Sequence, residues 1–237
     1  MKHIIIFLAY KNVDIIQKSF ESLSLYKNAD FFIVENFSEN SNEISKYFFK
    51  KNLKGYIQFE ENAAANAINV FIKNYYTLLE KYDFITFTDG DIICYDINDT
   101  FREILKNLNQ DNAVISSCDL WLGNLYTNKI KQGLDDYYKI MPTIIETKYD
   151  KGHTGNTLVT LKNEYLYLLK DIHYTDTLIN QKIKTVKGIW YKTTKNLAYH
   201  LTWDLYVDGN EYYEWKKNVY PSIWDKIEKN FKFNVYK

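Results

Sequence analysis

YDFITFTDGDIICYD, residues 82–96, decides the fold. Strand formers run from Phe84 to Phe87, two carboxylates follow across one glycine at Asp89-Gly90-Asp91, and apolar residues resume at Ile92. Two structures fit that pattern. Gly and Asp tolerate positive φ between strand formers, which makes Asp89-Gly90 a two-residue hairpin turn. Alternatively, carboxylates two apart at a strand end face one hard cation together and leave room for phosphate oxygens. The hairpin accounts for the glycine. It does not account for the return of acid at Asp91, or for the place of the segment after a fourth strand-like run.

Working upstream, Ile4 to Ala9 is a continuous apolar run of the kind buried on both faces of a parallel sheet. Asn12 is placed to cap a helix whose apolar positions are Val13, Ile16, Phe20 and Leu23. Phe31 to Val34 predicts a second strand, residues 36–43 a polar loop, Ile44 to Phe49 a short helix and Tyr56 to Phe59 a third strand. Ile68, Phe71, Ile72, Tyr75, Leu78 and Leu79 then mark a long helix that delivers the chain into Phe84. Alternation of strand and helix predicts an α/β fold, a Rossmann-like and mostly parallel sheet flanked by helices. Ligands of such sheets bind at the carboxyl ends of the strands, here Tyr10, Glu35, Glu60 and Asp89.

Downstream, Phe101, Ile104, Leu105 and Leu108 line one side of a further helix, and Ala113 to Ser116 predicts a strand. Another strand is expected from Thr157 to Leu161 and another helix from Leu178 to Ile183, while the aromatic tail from Tyr199 has no assigned structure. No Gly/Ser/Pro-rich linker divides the 237 residues, which hold only two prolines and eight glycines, so one domain over residues 1–237 is expected.

Thirty basic and thirty acidic side chains are interspersed, so no basic face exists to neutralise a phosphate backbone and no nucleic acid partner is expected. The first apolar run is too short to span a bilayer and carries no cleavage pattern, which predicts a cytoplasmic chain. Cys94 and Cys118 are the only cysteines and sit in apolar runs, so no disulfide framework is implied. The 22 tyrosines and 5 tryptophans suit sugar faces, and AT-rich codon usage accounts for them equally well.

Four stretches have a common order: IIIFLAYKN, FFIVENFSENSNEI, YDFITFTDGDI and YTDTLINQKIKTVKGIWYKTTKNLAYHLTW. Together, over roughly residues 3 to 204, they resemble the GT-A glycosyltransferases, particularly the family 2-like group with a D-x-D motif that uses nucleotide diphosphate sugars. The resemblance implies that residues 1–118 bind the nucleotide sugar and that residues 119–237 form the acceptor side and tail. It places Mn²⁺ or Mg²⁺ on Asp89 and Asp91, with Asp89 also near the donor's ribose and diphosphate. Ala9 and Tyr10 would line the base pocket, with Asn12 on the same donor side. Glu35 falls where the family's acid contacts base or ribose, although Asp is commoner there. ENAAANAINVF resembles the stretch opening the next helix but lacks its Gly. Asn66, with Asn62, is the donor-side candidate within it.

The same resemblance makes Asp176 the base that takes the acceptor hydroxyl's proton, which implies inversion at the anomeric carbon, with retention the alternative because retaining GT-A enzymes share the D-x-D. Asp176 is equally suited to capping the helix that begins there. His200 would complete the cation's shell or touch the diphosphate, its alternative being an ordinary hydrogen-bonded histidine. His153 and Thr154, in the Gly152 to Gly155 loop, and Trp203 are acceptor-side candidates. The implied activity is transfer of a sugar from a nucleotide diphosphate donor, UDP-linked, to a hydroxyl of a glycan or glycolipid in bacterial polysaccharide biosynthesis. The tail, with Trp215, Trp224, Phe231 and several lysines, has two readings, packing as core or peripheral contact with the inner face of a membrane. A nucleotidyltransferase is a competing activity. It calls for a Gly-rich basic loop after the first strand, where YKNVDII offers one Lys and no Gly. A non-catalytic carbohydrate-binding protein on the same fold is the other.

Overall fold

The computed structural model describes residues 1–63, 66–94, 96–121, 158–170, 176–200 and 231–236. The side chains of residues 119–121, 176, 177, 180, 194–197, 199 and 200 stand outside that description. Strands β1 (His3–Ala9), β2 (Asp30–Glu35), β3 (Gly55–Phe59) and β4 (Phe84–Asp89) lie parallel in the order β3-β2-β1-β4. Helices α1 (Val13–Leu23), α2 (Ser41–Phe48) and α3 (Asn66–Leu79) connect them in turn.

The apolar runs are continuous because both sheet faces are covered. Ile4 and Ile6 of β1 pack with Phe32, Phe71 and Ile72 on the α3 face, whereas Ile5 and Phe7 pack with Ile16, Phe20 and Phe48 on the α1–α2 face. Alternate residues of one strand thus enter opposite cores. The α1 helix starts as its sequence predicts, with the Asn12 Oδ1 accepting from the Ile15 N–H at 3.2 Å, a cap worth about 1 kcal/mol.

The remainder comprises β5 (Ile92–Cys94), α4 (Ile97–Leu108), β6 (Ala113–Trp121), β7 (Val159–Lys162), a 3₁₀ helix (Asn163–Leu169), α5 (Asp176–Thr185), β8 (Ile189–His200) and β9 (Phe233–Val235). The full sheet order is β5-β8-β6-β7-β4-β1-β2-β3-β9, with β7, β5 and β9 antiparallel to their neighbours and β6 parallel to β8. Three expectations are corrected. β6 outruns the four residues expected of it, because residues 117–121, where Ser117 and Asp119 interrupt the apolar pattern, are held by pairing with β8. The strand expected from Thr157 begins at Val159. The unassigned tail supplies the end of β8 and the edge strand β9.

The hairpin at Asp89-Gly90 is excluded. β4 and β5 are not paired, and four interstrand steps separate them in the sheet. On a flat sheet that is about 19 Å, yet Asp89 to Ile92 is a path of at most ~11 Å. The sheet must therefore coil until its β8–β5 edge returns to the carboxyl end of β4. Register shifts in the β6–β8 pair, at Ala113/Ile115 and around Asp119, provide the bending.

At the opposite, amino end of the sheet, His3 is 2% exposed and enclosed by Tyr26, Phe84 and Phe101. Its Nε2 meets the Thr86 hydroxyl at 2.6 Å, and Thr86 meets the Thr160 hydroxyl at 2.7 Å, linking β1, β4 and β7. Burial lowers the His3 pKa to about 3, so this histidine is a neutral core residue.

Candidate functional site

Strand register brings the donor-side candidates to one level. Ala9 pairs with Glu35, and Leu8 pairs with Asp89, at the carboxyl ends of β1, β2 and β4. This is where open α/β sheets bind ligands. Asp89 ends β4 and Asp91 precedes β5, both half-buried, with the Oδ1 of Asp91 shut off from solvent.

Gly90 between them is required by close approach. A Cβ on Gly90 would lie 2.6 Å from the Leu8 carbonyl oxygen and 3.4 Å from the Ala9 Cα, a backbone obstacle that cannot swing aside. Beyond the pair, Ile92 is in register with His200, so the coiled sheet carries the His200 backbone to within one residue of Asp91. The two residues are over a hundred positions apart in sequence.

The loops after β1 and β2 brace each other. Lys11 and Phe37 hold positive φ, 58° and 43°, which is unusual for side-chain-bearing residues and recurs where function requires it. The Lys11 N–H donates to the Ser38 Oγ at 2.7 Å, and the Asn36 N–H donates to the Ala9 carbonyl at 2.8 Å. Asn36 Oδ1 accepts from the Ala63 N–H at 2.7 Å, while its Nδ2 donates to the Asn62 Oδ1 at 3.1 Å. Asn62 Nδ2 then reaches the Tyr10 hydroxyl at 3.0 Å. Tyr10 and Asn62 stay half-exposed at the rim, with the Lys11 ammonium 5.6 Å from the centre of the Tyr10 ring. Asn66, which opens α3, is 5% exposed.

Glu35 and Ala9 are fully buried. The Tyr56 hydroxyl donates to one Glu35 carboxylate oxygen, and the Gln58 amide donates to the other at 3.4 Å. Burial pushes the Glu35 pKa up, and hydrogen bonds with Tyr56, Ser41 and Gln58 pull it part of the way back. Its carboxyl is therefore tied into the loop that starts α2 rather than presented to solvent.

Asp176 is the first residue of α5, as its capping pattern predicts to within one position, and its side chain is outside the described residues. The side chain of His200 is also outside them, as are His153, Thr154 and Trp203 altogether. Among the described residues no three His, Cys, Asp or Glu side chains gather as a metal cluster. Asp89 and Asp91 fit a hard divalent cation by chemistry: both are oxygen donors, and Mg²⁺ or Mn²⁺ keeps water and substrate phosphates for the rest of its shell.

Several residues of the site have no motif in the sequence. Asn36 and Ser38 lie in the quoted loop, but their partners Ala63, Asn62 and Lys11 are set by the fold. Ser19 is the exception with a local signal. It lies on the apolar stripe of α1 between Ile16 and Leu23, and a small polar residue there demands a buried partner.

No protein-family model matches the sequence. Two uncharacterized proteins of Acanthamoeba polyphaga mimivirus are similar to it. One is 31% identical across 92% of this chain and 47% of its own length, and the other is 30% identical across 97% of this chain and 33% of its own length. The chain thus spans half or less of these relatives. Among solved structures, the mannosyltransferase PcManGT from Pyrobaculum calidifontis, in complex with GDP-Man and Mn²⁺, superposes with a TM-score of 0.61 at 15% identity. That match covers 90% of this chain and 59% of that one. A fragment of S. aureus TarS in complex with UDP-GlcNAc superposes with a TM-score of 0.57 at 16% identity, over 97% of this chain and 68% of that one. No helix among the described residues is long and apolar enough to cross a membrane. With its parallel β3-β2-β1-β4 core and its far edge coiled back onto the end of β4, this chain has the GT-A fold of those two structures.

Proposed function

We propose that the chain is a metal-dependent glycosyltransferase that moves a sugar from a nucleotide diphosphate donor, UDP-linked, to a hydroxyl of a glycan or glycolipid. The observation that carries this is the placement of Asp89-Gly90-Asp91. Two carboxylates sit at the carboxyl end of β4, locked against β1 by a glycine that tolerates no side chain, beside the braced loops after β1 and β2. The two superposed structures, a mannosyltransferase with GDP-Man and Mn²⁺ and a TarS fragment with UDP-GlcNAc, support the same class of donor.

Asp89 and Asp91 would hold Mn²⁺ or Mg²⁺, which when bound neutralises the diphosphate as it leaves. Tyr10 and Asn62, half-exposed at the rim, would face the nucleotide, with the buried Asn66 supporting that side from the start of α3, and the Tyr10 ring offers a stacking surface for the base. Glu35 acts one layer down by holding the loop of Asn36 and Ser38 in shape. Asp176, at the start of α5, takes the proton from the acceptor hydroxyl as that oxygen attacks the anomeric carbon. A carboxylate at a helix start is stabilised in its charged form, so its contribution rests on position more than on basicity.

Screening nucleotide sugars for hydrolysis and transfer with Mn²⁺ tests the proposal. Release of nucleoside diphosphate that stops in EDTA and in Asp91→Asn is the expected result. Pyrophosphate formed from a sugar phosphate and a nucleoside triphosphate would indicate a nucleotidyltransferase instead. Metal-independent sugar binding without turnover would indicate a lectin-like protein.

A further inference from the structure

The open edge of β5 is closed by a helix. In the antiparallel β5–β8 pair Ile93 faces Tyr199, and the alternation turns the backbone groups of Ile92 and Cys94 away from β8, toward the sheet edge. Ser19 of α1, fully buried, meets Ile92 there with both hydrogen-bonding functions of one hydroxyl. It donates to the Ile92 carbonyl at 2.6 Å and accepts from the Ile92 N–H at 3.2 Å. One turn further along, Ser22 Oγ accepts from the Cys94 N–H at 3.3 Å. The two serines take the place of a neighbouring strand.

Ile92 directly follows Asp91. The segment from Asp89 to Ile92 is therefore held at three points: β4 pairs with β1 through Asp89 and Leu8, Gly90 abuts the Leu8 carbonyl, and Ile92 is fastened by Ser19. Only Asp91 lies between the last two anchors. Without the Ser19 hydroxyl, the Ile92 N–H and carbonyl lose their partner in a dry environment, and β5 can relieve the loss only by shifting along the edge. Such a shift moves Asp91 relative to Asp89.

We propose that Ser19 is a positioning residue for the site, fixing the separation of the two carboxylates by bonding both backbone groups of Ile92; this rests on the function proposed above. Ser22, bonded two residues further on, secures β5 without setting that separation.

The test is titration of the full chain with Mn²⁺ at saturating UDP, and separately GDP, for the wild type, Ser19→Ala and Ser22→Ala. Melting temperatures are recorded alongside. Ser19→Ala is expected to weaken apparent Mn²⁺ affinity by about 10- to 100-fold, as loss of supporting contacts around a metal site does. Ser22→Ala should lower the melting temperature while leaving the affinity within about twofold of wild type, since the groups fixing the carboxylates are untouched. Equal affinity in wild type and Ser19→Ala overturns the inference alone. Absence of Mn²⁺-dependent nucleotide binding in the wild type overturns the proposed function and the inference with it. Should Ser19→Ala not fold, hydrogen exchange on the wild type decides: the Ile92 amide should exchange as slowly as interior amides of β4, and fast exchange there overturns the anchor.

Discussion

Leu8 and Gly90 approach so closely that a Cβ on the glycine would stand 2.6 Å from the Leu8 carbonyl oxygen. This contact sets the D-x-D segment against β1. The obstacle is backbone in the middle of the parallel sheet, so it cannot yield without moving β1 or the segment itself. Gly90→Ala is expected to cost about 1–3 kcal/mol of stability, the usual range for overpacking a close contact. It should also displace Asp91 and weaken metal-dependent nucleotide binding. Denaturant unfolding and Mn²⁺ titration measure the two effects, and a variant as stable as wild type would show that the contact relaxes freely.

UDP should raise the melting temperature only when a divalent cation is present, because phosphate and the carboxylates of Asp89 and Asp91 otherwise repel. At a ligand concentration a hundred times its dissociation constant the gain is about 2.7 kcal/mol. Asp91→Asn should abolish the gain and leave the unliganded melting curve intact. Equal stabilisation in excess EDTA would rule out a metal bridge.

Asp176→Asn separates base from cap. Asn caps a helix about as well as Asp, so the stability change should stay below ~1 kcal/mol. Loss of a general base should lower turnover by about 100-fold or more with donor affinity kept. Normal turnover in that variant would assign the proton transfer to another group.

His3 imposes a pH dependence on folding. Its pKa falls from 6.5 to about 3 on burial, so between those values the unfolded chain binds one proton more than the folded chain. Stability then rises with pH through this window at about 1.4 kcal/mol per pH unit from this group, and the contribution is complete above pH ~6.5. His3→Gln keeps a polar group opposite Thr86 and removes the titration. Comparing the two proteins by denaturation from pH 4 to 7 should show a gap that changes with pH. A constant gap would mean that His3 remains charged or hydrated in the fold.

Glu35 works in the opposite sense. Burial raises its pKa, so the folded state holds the proton longer, and its contribution declines as pH rises from the unfolded value near 4.5 through the folded one. Glu35→Gln should remove that decline while preserving partners for Gln58 and Tyr56. Above the folded pKa it should be at least as stable as wild type. A variant destabilised by several kcal/mol at neutral pH would show that the charged form is needed to hold the Asn36–Ser41 loop.

Much of this molecule was legible from local pattern. Continuous apolar runs at Ile4 to Ala9 and Phe31 to Val34 announce strands covered on both faces, because a strand buried twice has no polar alternation. The stripe of Ile16, Phe20 and Leu23 and the cap at Asn12 announce α1, because helix start and facing are settled within a turn or two of chain. Asp89-Gly90-Asp91 could be placed at the end of a strand for the same reason. Tertiary structure alone decided what each of these residues meets. Gly90 excludes a side chain because of Leu8, Glu35 is sealed beneath Tyr56, Ser19 fastens Ile92, and His200 returns beside Asp91 through the coiling of the sheet. Periodicity reports how much water a position sees. It carries no information about which distant strand arrives there, since pairing between residues a hundred positions apart depends on bulges and twist summed over the whole sheet.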